Sequence, residues 1–211
     1  QSEHVVKLLD VFSSATFSAL AMELVPDALW HLKPFNGSKG RLSKMECVSL
    51  GAAMFDALRH AHPKNIVHLD AHPGNVLVPC VDGVGVYGRA KLSDFGRATR
   101  ISDYPGAELP WSTYPWPYKP PELVFARGTV WGNLERPTYP SDMKLEWFQC
   151  DTWAMGMVCL EARFGMRWSR DENAVSKGLE FSKVFGVSRV QFMEIAKRPH
   201  NGWSVPELVT W

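Results

Sequence analysis

The sequence predicts an α+β fold, and three observations lead there. Two apolar runs of strand character lie close to the N-terminus, a capping box at Ser43 announces a helix, and the segment Asp151–Arg163 is helix-length and apolar nearly all round. Short apolar runs between the two helices supply further strand candidates.

In chain order, His4-Val5-Val6-Lys7-Leu8-Leu9-Asp10-Val11-Phe12 reads as one strand and Ala19–Val25 as a second. Ser43-Lys44-Met45-Glu46 has the spacing at which hydroxyl and carboxylate satisfy each other's end N–H groups, a cap of about 0.5–2 kcal/mol. Leu50, Met54, Ala57, Leu58 and Ala61 continue at three-to-four spacing as a buried face, until Pro63 stops the helix. Ile66-Val67 and Val76-Leu77-Val78 are short strand candidates. Residues 79–90 hold Asp82, Gly83, Gly85 and Gly88 and read as a loop between two short strands. Residues 97–150 are rich in Pro and Trp and show no periodicity. Asp151–Arg163 follows as a helix expected to lie buried, then Ala174–Phe185 and Val190–Ala196 as amphipathic helices.

With 211 residues, 45% apolar, 21% charged and a formal net charge of +1, the chain has an ordinary globular composition. Nothing in that balance points to nucleic acid or a membrane surface. The longest apolar stretch, Trp153–Leu160, is too short to span a bilayer; no secretory signal opens the chain, which starts without Met as a fragment would. Cys47, Cys80, Cys150 and Cys159 are dispersed, with no C-x-x-C pair, and are expected as free thiols in a reducing, intracellular compartment, cytoplasmic or nuclear. His60 and His62 sit near a helix end, where solvation or capping is their expected role.

Four separated signals stand in fixed order: His68-Leu69-Asp70-Ala71-His72-Pro73-Gly74-Asn75, Asp94-Phe95-Gly96, Pro120-Pro121-Glu122 and Asp151-Thr152-Trp153-Ala154-Met155-Gly156. Alone, each is a turn former or a chance match. Together they resemble the C-terminal lobe of a eukaryotic-type protein kinase, read as H-R-D-x-x-x-x-N, D-F-G, A-P-E and D-x-W-x-x-G. The resemblance covers roughly residues 4–165. It implies a kinase-like fold in which residues 1–25 are a remnant of the N-lobe strands and hinge, and residues 26–211 the C-lobe. Within the latter it implies a catalytic loop at 68–75, an activation segment at 94–122 and an insertion at about 123–150.

Phosphoryl transfer needs an in-line nucleophile, metal ions on the phosphates and an acceptor for the hydroxyl proton. The resemblance implies Asp70 as catalytic base, and Asn75 and Asp94 as ligands of Mg²⁺, an ion suited to hard oxygen donors. It implies ATP as the phosphoryl donor, with Leu77 on the adenine floor and Glu23 C=O and Val25 N–H at the hinge. His68 and Phe95 would stack beneath the catalytic loop, and Asp151 would hold that loop's backbone. Gly83-Val84-Gly85-Val86-Tyr87-Gly88 fits G-x-G-x-x-G, yet lies between Asn75 and Asp94, where no phosphate-covering loop belongs; a glycine-rich hairpin turn is the preferred reading.

The chain departs from the family at several points. Leu69 stands where most members have an Arg that binds an activation-segment phosphate, which argues against activation through Ser112, Thr113 or Tyr114. His72 replaces the Lys that touches the γ-phosphate in Ser/Thr kinases, and a histidine supplies that charge only when protonated, so activity would rise below neutral pH. Pro115 occupies the place of a Thr that bonds the catalytic Asp, and Pro120 replaces Ala in A-P-E. With the insertion, these features resemble the divergent rhoptry kinases of apicomplexan parasites, which would imply a secreted effector. The Gly-rich loop, strand Lys and helix Glu have no place before His4, so the phosphates would be held from one side only. Beyond residue 165 no string, Phe181–Gly186 included, matches a family motif.

Three functions compete. The first is an ATP-dependent protein kinase, Ser/Thr-directed, acting on a protein substrate. The second is a small-molecule kinase of the aminoglycoside or choline phosphotransferase type, whose H-G-D-x-H-P-G-N loop Asp70–Asn75 also resembles. Against it stands the long segment between Asp94 and Asp151, including Tyr118-Lys119-Pro120-Pro121-Glu122, which resembles a peptide-docking platform. The third is a non-catalytic pseudokinase scaffold, favoured by Leu69, His72 and Pro115 and opposed by Asp70, Asn75 and Asp94.

Overall fold

Ser43 does what its spacing predicts. Its hydroxyl accepts the Glu46 N–H at 3.2 Å and the Glu46 carboxylate accepts the Ser43 N–H at 2.7 Å, opening helix α1 (Lys44–Ala61). In the computed structural model, which describes residues 2–32, 41–103, 118 and 147–164, α1 buries Leu50, Met54, Ala57, Leu58 and Ala61 on one face. Pro63 follows in a 3-10 turn, and Asn65, in the left-handed region at φ 59°, redirects the chain. All described residues belong to one unit, 1–120 with 143–167.

Helix α2 (Trp147–Phe164) begins four residues before the expected Asp151, because buried Trp147 and Cys150 carry its apolar surface a further turn back. Ala154, Met155, Val158 and Ala162 are fully buried, and α2 packs against α1. The two helices make the core of the described residues.

The described residues also include nine short strands. Strands β1 (Leu8–Ser13) and β2 (Ser18–Met22) form an antiparallel hairpin with Ser13 opposite Ser18 and an irregularity between Leu8 and Asp10. The first strand expected from the sequence therefore splits. Its beginning runs beside another strand, with Val6 N–H donating to Leu92 C=O at 3.0 Å and Leu92 N–H to His4 C=O at 2.8 Å, and only its end enters the hairpin. The second stops at Met22, three residues short of Val25; Glu23 N–H to Lys7 C=O at 2.9 Å is its last rung before Pro26, which has no N–H to offer.

Strands β3 (Asp27–Ala28), β5 (Val76–Val78) and β8 (Lys91–Leu92) form an antiparallel sheet with β5 central, pairing Leu77 with Ala28 on one side and Lys91 on the other. β4 (Ile66–Val67) pairs with β9 (Thr99–Arg100), a strand the sequence did not signal because two residues set no period. The glycine-rich stretch forms a hairpin, as its preferred reading had it, inside residues 79–90 otherwise read as a loop. β6 (Cys80–Val81) and β7 (Val84–Gly85) make a hairpin across Asp82 and Gly83, at φ 51° and 76°, as a tight two-residue turn requires. A 3-10 turn, Tyr87–Arg89, then buries Tyr87.

The expected helices at 174–185 and 190–196, the insertion up to residue 146, Ser112–Pro115 and Pro120–Glu122 lie outside the described residues. Residues 147–150, assigned to the insertion from sequence, are helical. The four cysteines are free thiols, and among the described residues no helix is long and apolar enough to cross a membrane.

Candidate active site

The loop His68–Asn75 joins β4 to β5, and both helices brace it. Asp151, fully buried on α2, accepts the His68 N–H at 2.7 Å through one carboxylate oxygen and the Leu69 N–H at 3.0 Å through the other. Those bonds hold Leu69 in the left-handed region, φ 63°, a conformation that costs a branched residue about 1–2 kcal/mol. Leu69 is buried, so its side chain is part of the core. His62, at the end of α1, joins the same carboxylate, with Nε2 3.1 Å from Asp151 Oδ2. Its role is thus to brace the loop's anchor, beyond the solvation or capping expected from its position.

His68 is fully buried below the loop. Its Nδ1 accepts the Asp70 N–H at 3.3 Å, so its ring proton lies on Nε2, which donates to Ser93 C=O at 2.9 Å. Its ring meets Phe95 edge-on with centroids 4.8 Å apart. One imidazole therefore ties the loop to the Ser93–Phe95 segment.

Asp70 lies at the centre of a polar cluster. Asn75 Nδ2 donates to Asp70 C=O at 2.9 Å and to Asp70 Oδ2 at 3.3 Å. The other oxygen, Oδ1, is 3.8 Å from His72 Nε2 and 3.6 Å from Arg97 Nη1. His72 caps the 3-10 turn Pro73–Asn75, its Nδ1 accepting the Gly74 N–H at 3.0 Å. A Cβ at Gly74 would come within 2.7 Å of the His72 ring, so this turn admits only glycine without displacing the histidine. Burial pushes His72 below its ordinary 6.5, against the opposing pull of Asp70. The imidazole is therefore mainly neutral at pH 7, and any gain in activity from its protonation is displaced further to acid than the sequence suggests.

Asp94 reaches the cluster through its neighbour. Ser93 N–H and Oγ both donate to Asn75 C=O, at 2.8 and 3.0 Å. Asp94 follows at φ 57°, exposed, with Oδ1 accepting the Gly96 N–H at 3.2 Å. Because Asn75 spends its amide nitrogen on Asp70, its amide oxygen and the Asp94 carboxylate are the hard donors left for a cation. That set fits Mg²⁺, which takes one or two protein oxygens and completes its shell with phosphate and water.

At the β1–β2 side, Glu23 Oε1 accepts from Lys91 Nζ and from the Lys7 N–H, both at 2.8 Å. The Lys91 bond is the main cause holding the Glu23 carboxyl below its usual range. Lys91 pairs with half-buried Leu77 across β5 and β8, so Glu23 and Leu77 are both neighbours of Lys91. Val25 is half-buried two residues on.

Sequence reasoning gave Arg97 and Ser93 no role here, and Tyr118 only a place in a docking platform. Arg97 adjoins a recognised tripeptide and was detectable as the first cation after it. Tyr118 donates its hydroxyl to the Glu161 carboxylate on α2 at 2.5 Å, and its ring centroid lies 6.3 Å from that of His72. Tyr118 itself is buried against α2; the rest of the string 118–122 lies outside the described residues. Ser93 carried no motif at all.

Residues 1–203 match a family described as the protein kinase domain. The match runs well past residue 165, where the sequence motifs ceased to be readable. Among curated proteins, the chain is 26% identical over 176 residues to a "Probable cell division protein kinase" of Encephalitozoon cuniculi, covering 83% of this chain and 48% of that protein. It is 30% identical over 106 residues to the human phosphorylase b kinase gamma catalytic chain, liver/testis isoform, covering 50% of this chain and 24% of that one. The chain thus spans half or less of the length of either relative.

Proposed function

This chain belongs to the protein kinase domain family, and from that premise we propose that it carries the phosphoryl-transfer site of an ATP-dependent protein kinase directed at Ser/Thr hydroxyls. The observation that supports the reading is the hydrogen-bonded run Asp70–Asn75–Ser93, with Asp94 next to Ser93 in the chain. Asp70 Oδ1 receives the proton of the attacking hydroxyl, while Asn75 fixes the carboxylate through Oδ2. Arg97 Nη1 faces that same Oδ1 at 3.6 Å. His72, mainly neutral, shapes the Pro73–Asn75 turn and stands beside the base. Asn75 and Asp94 would hold Mg²⁺, which when bound neutralises phosphate charge. Leu77 supplies apolar surface to adenine, with the Glu23 carbonyl and Val25 N–H at its edge.

A small-molecule phosphotransferase is the second reading, favoured by the histidine-capped Pro-Gly turn in the catalytic loop. The experiment that separates them offers the complete protein labelled ATP with a mixed protein substrate, an aminoglycoside and choline. Label in protein, lost in Asp94→Asn together with Mg²⁺-dependent nucleotide binding, supports the kinase. Label only in the small acceptors supports the second reading. Nucleotide binding that is absent, or indifferent to Asp94→Asn, with no transfer, leaves the scaffold.

A further inference from the structure

We propose that Cys47 and Cys159 form a dithiol modification site, at which a hydroperoxide oxidises Cys47 and Cys159 resolves the product to a disulfide joining α1 to α2. The site lies apart from Asp70 and does not rest on the kinase reading.

Geometry carries the proposal. Cys47 lies in the first turn of α1, and its thiol reaches the Cys159 carbonyl on α2 at 3.3 Å. A Cβ built on Gly51, one turn along α1 from Cys47, would meet Cys159 Sγ at 3.7 Å. The Cys159 sulfur therefore lies over the Cys47–Gly51 stripe. Both cysteines are partly accessible, while Cys150 is buried.

The electrostatics divide the two thiols into different roles. A hydrogen bond from Cys159, helped by the Arg163 guanidinium, brings Cys47 down to about 7 against the cost of its burial. The same hydrogen bond, with burial, pushes Cys159 well above its ordinary 9.0. When Cys47 loses its proton, Cys159 becomes the donor between them. A large fraction of Cys47 is thiolate at neutral pH, and the thiolate is the nucleophile. Cys80, in contrast, is pushed up by its burial and by Asp27.

The chemistry balances in two steps. The Cys47 thiolate attacks one peroxide oxygen, the O–O bond breaks, and the leaving oxygen departs with a proton as water or alcohol, giving Cys47 sulfenic acid. The Cys159 sulfur then attacks the Cys47 sulfur, the S–O bond breaks, and the Cys159 proton leaves with the hydroxide as water. Two thiols lose two electrons in total, and the peroxide gains them. The bridge would link residues 112 apart and fasten α1 to the helix that carries Asp151.

The test treats the chain with stoichiometric hydrogen peroxide, caps remaining thiols with N-ethylmaleimide, and maps peptides by mass spectrometry. The expected result is a Cys47–Cys159 linked peptide, cleaved by dithiothreitol, with Cys80 and Cys150 still capped. Cys159→Ser, a near-isosteric change, should arrest the reaction at a dimedone-trappable sulfenic acid on Cys47. Iodoacetamide at neutral pH should modify Cys47 at least about tenfold faster than Cys80. Overoxidised Cys47 beside reduced Cys159, or equal rates at Cys47 and Cys80, would overturn the proposal.

Discussion

At Asp70 two nitrogen groups face one carboxylate oxygen, and they differ in what they contribute. The Arg97 side chain is 53% exposed, so its pair with Asp70 adds under about 1 kcal/mol to stability. His72 is the titrating neighbour. Because burial lowers its folded-state value, the native state binds fewer protons than the unfolded chain; stability is fullest above pH 6.5 and falls as pH drops below it. His72→Asn removes that titration and keeps a side-chain oxygen that can accept the Gly74 N–H. Urea unfolding should show the variant's deficit shrinking as pH falls from about 7.5 to 5.5; a deficit independent of pH would place the imidazole outside the buried site. Asp70, Asn75 and Asp94 were readable from sequence because their spacing is local and chemically restrictive. The contact of Tyr118 with Glu161 was not, since it joins side chains distant in the chain.

At the scale of elements, α1 and α2 support the loop more than the strands do. The capping box at Ser43 and the stop at Pro63 set α1 by short-range chemistry, and its ends were legible for that reason. The start of α2 was not, because the buried stripe from Trp147 is read only against α1. The same holds for β9, which exists through its pairing with β4. Asp151 shows the consequence most directly. It satisfies two loop N–H groups and meets His62, and removing it leaves buried donors without their acceptor. Asp151→Ala should cost roughly 2–6 kcal/mol, at about 1–3 for each orphaned N–H. Chemical denaturation measures that loss, and a change within about 0.5 kcal/mol would mean that the loop is held by other contacts.

Across the whole molecule, the apolar residues fall into two populations. Among the described residues, the buried ones come mainly from α1, α2 and the central sheet, whereas Leu8, Val11, Phe12, Phe17 and Leu20 of the β1–β2 hairpin are exposed, as are Met45, Val48 and Phe55 of α1. The strand signal in the hairpin was correct in kind, while its split into two partners could not be read from apolar content alone. Family membership follows from the ordered motifs together with the match over residues 1–203. Activity follows only if the Asp70 cluster acts as a unit. The measurement that tests this most directly is transfer of labelled γ-phosphate to protein by the complete protein and by its Asp70→Ala variant, with ATP binding measured in both. Turnover should fall by on the order of 10²-fold or more, as for a lost general base, with ATP affinity little changed. Equal turnover in the variant would contradict the account.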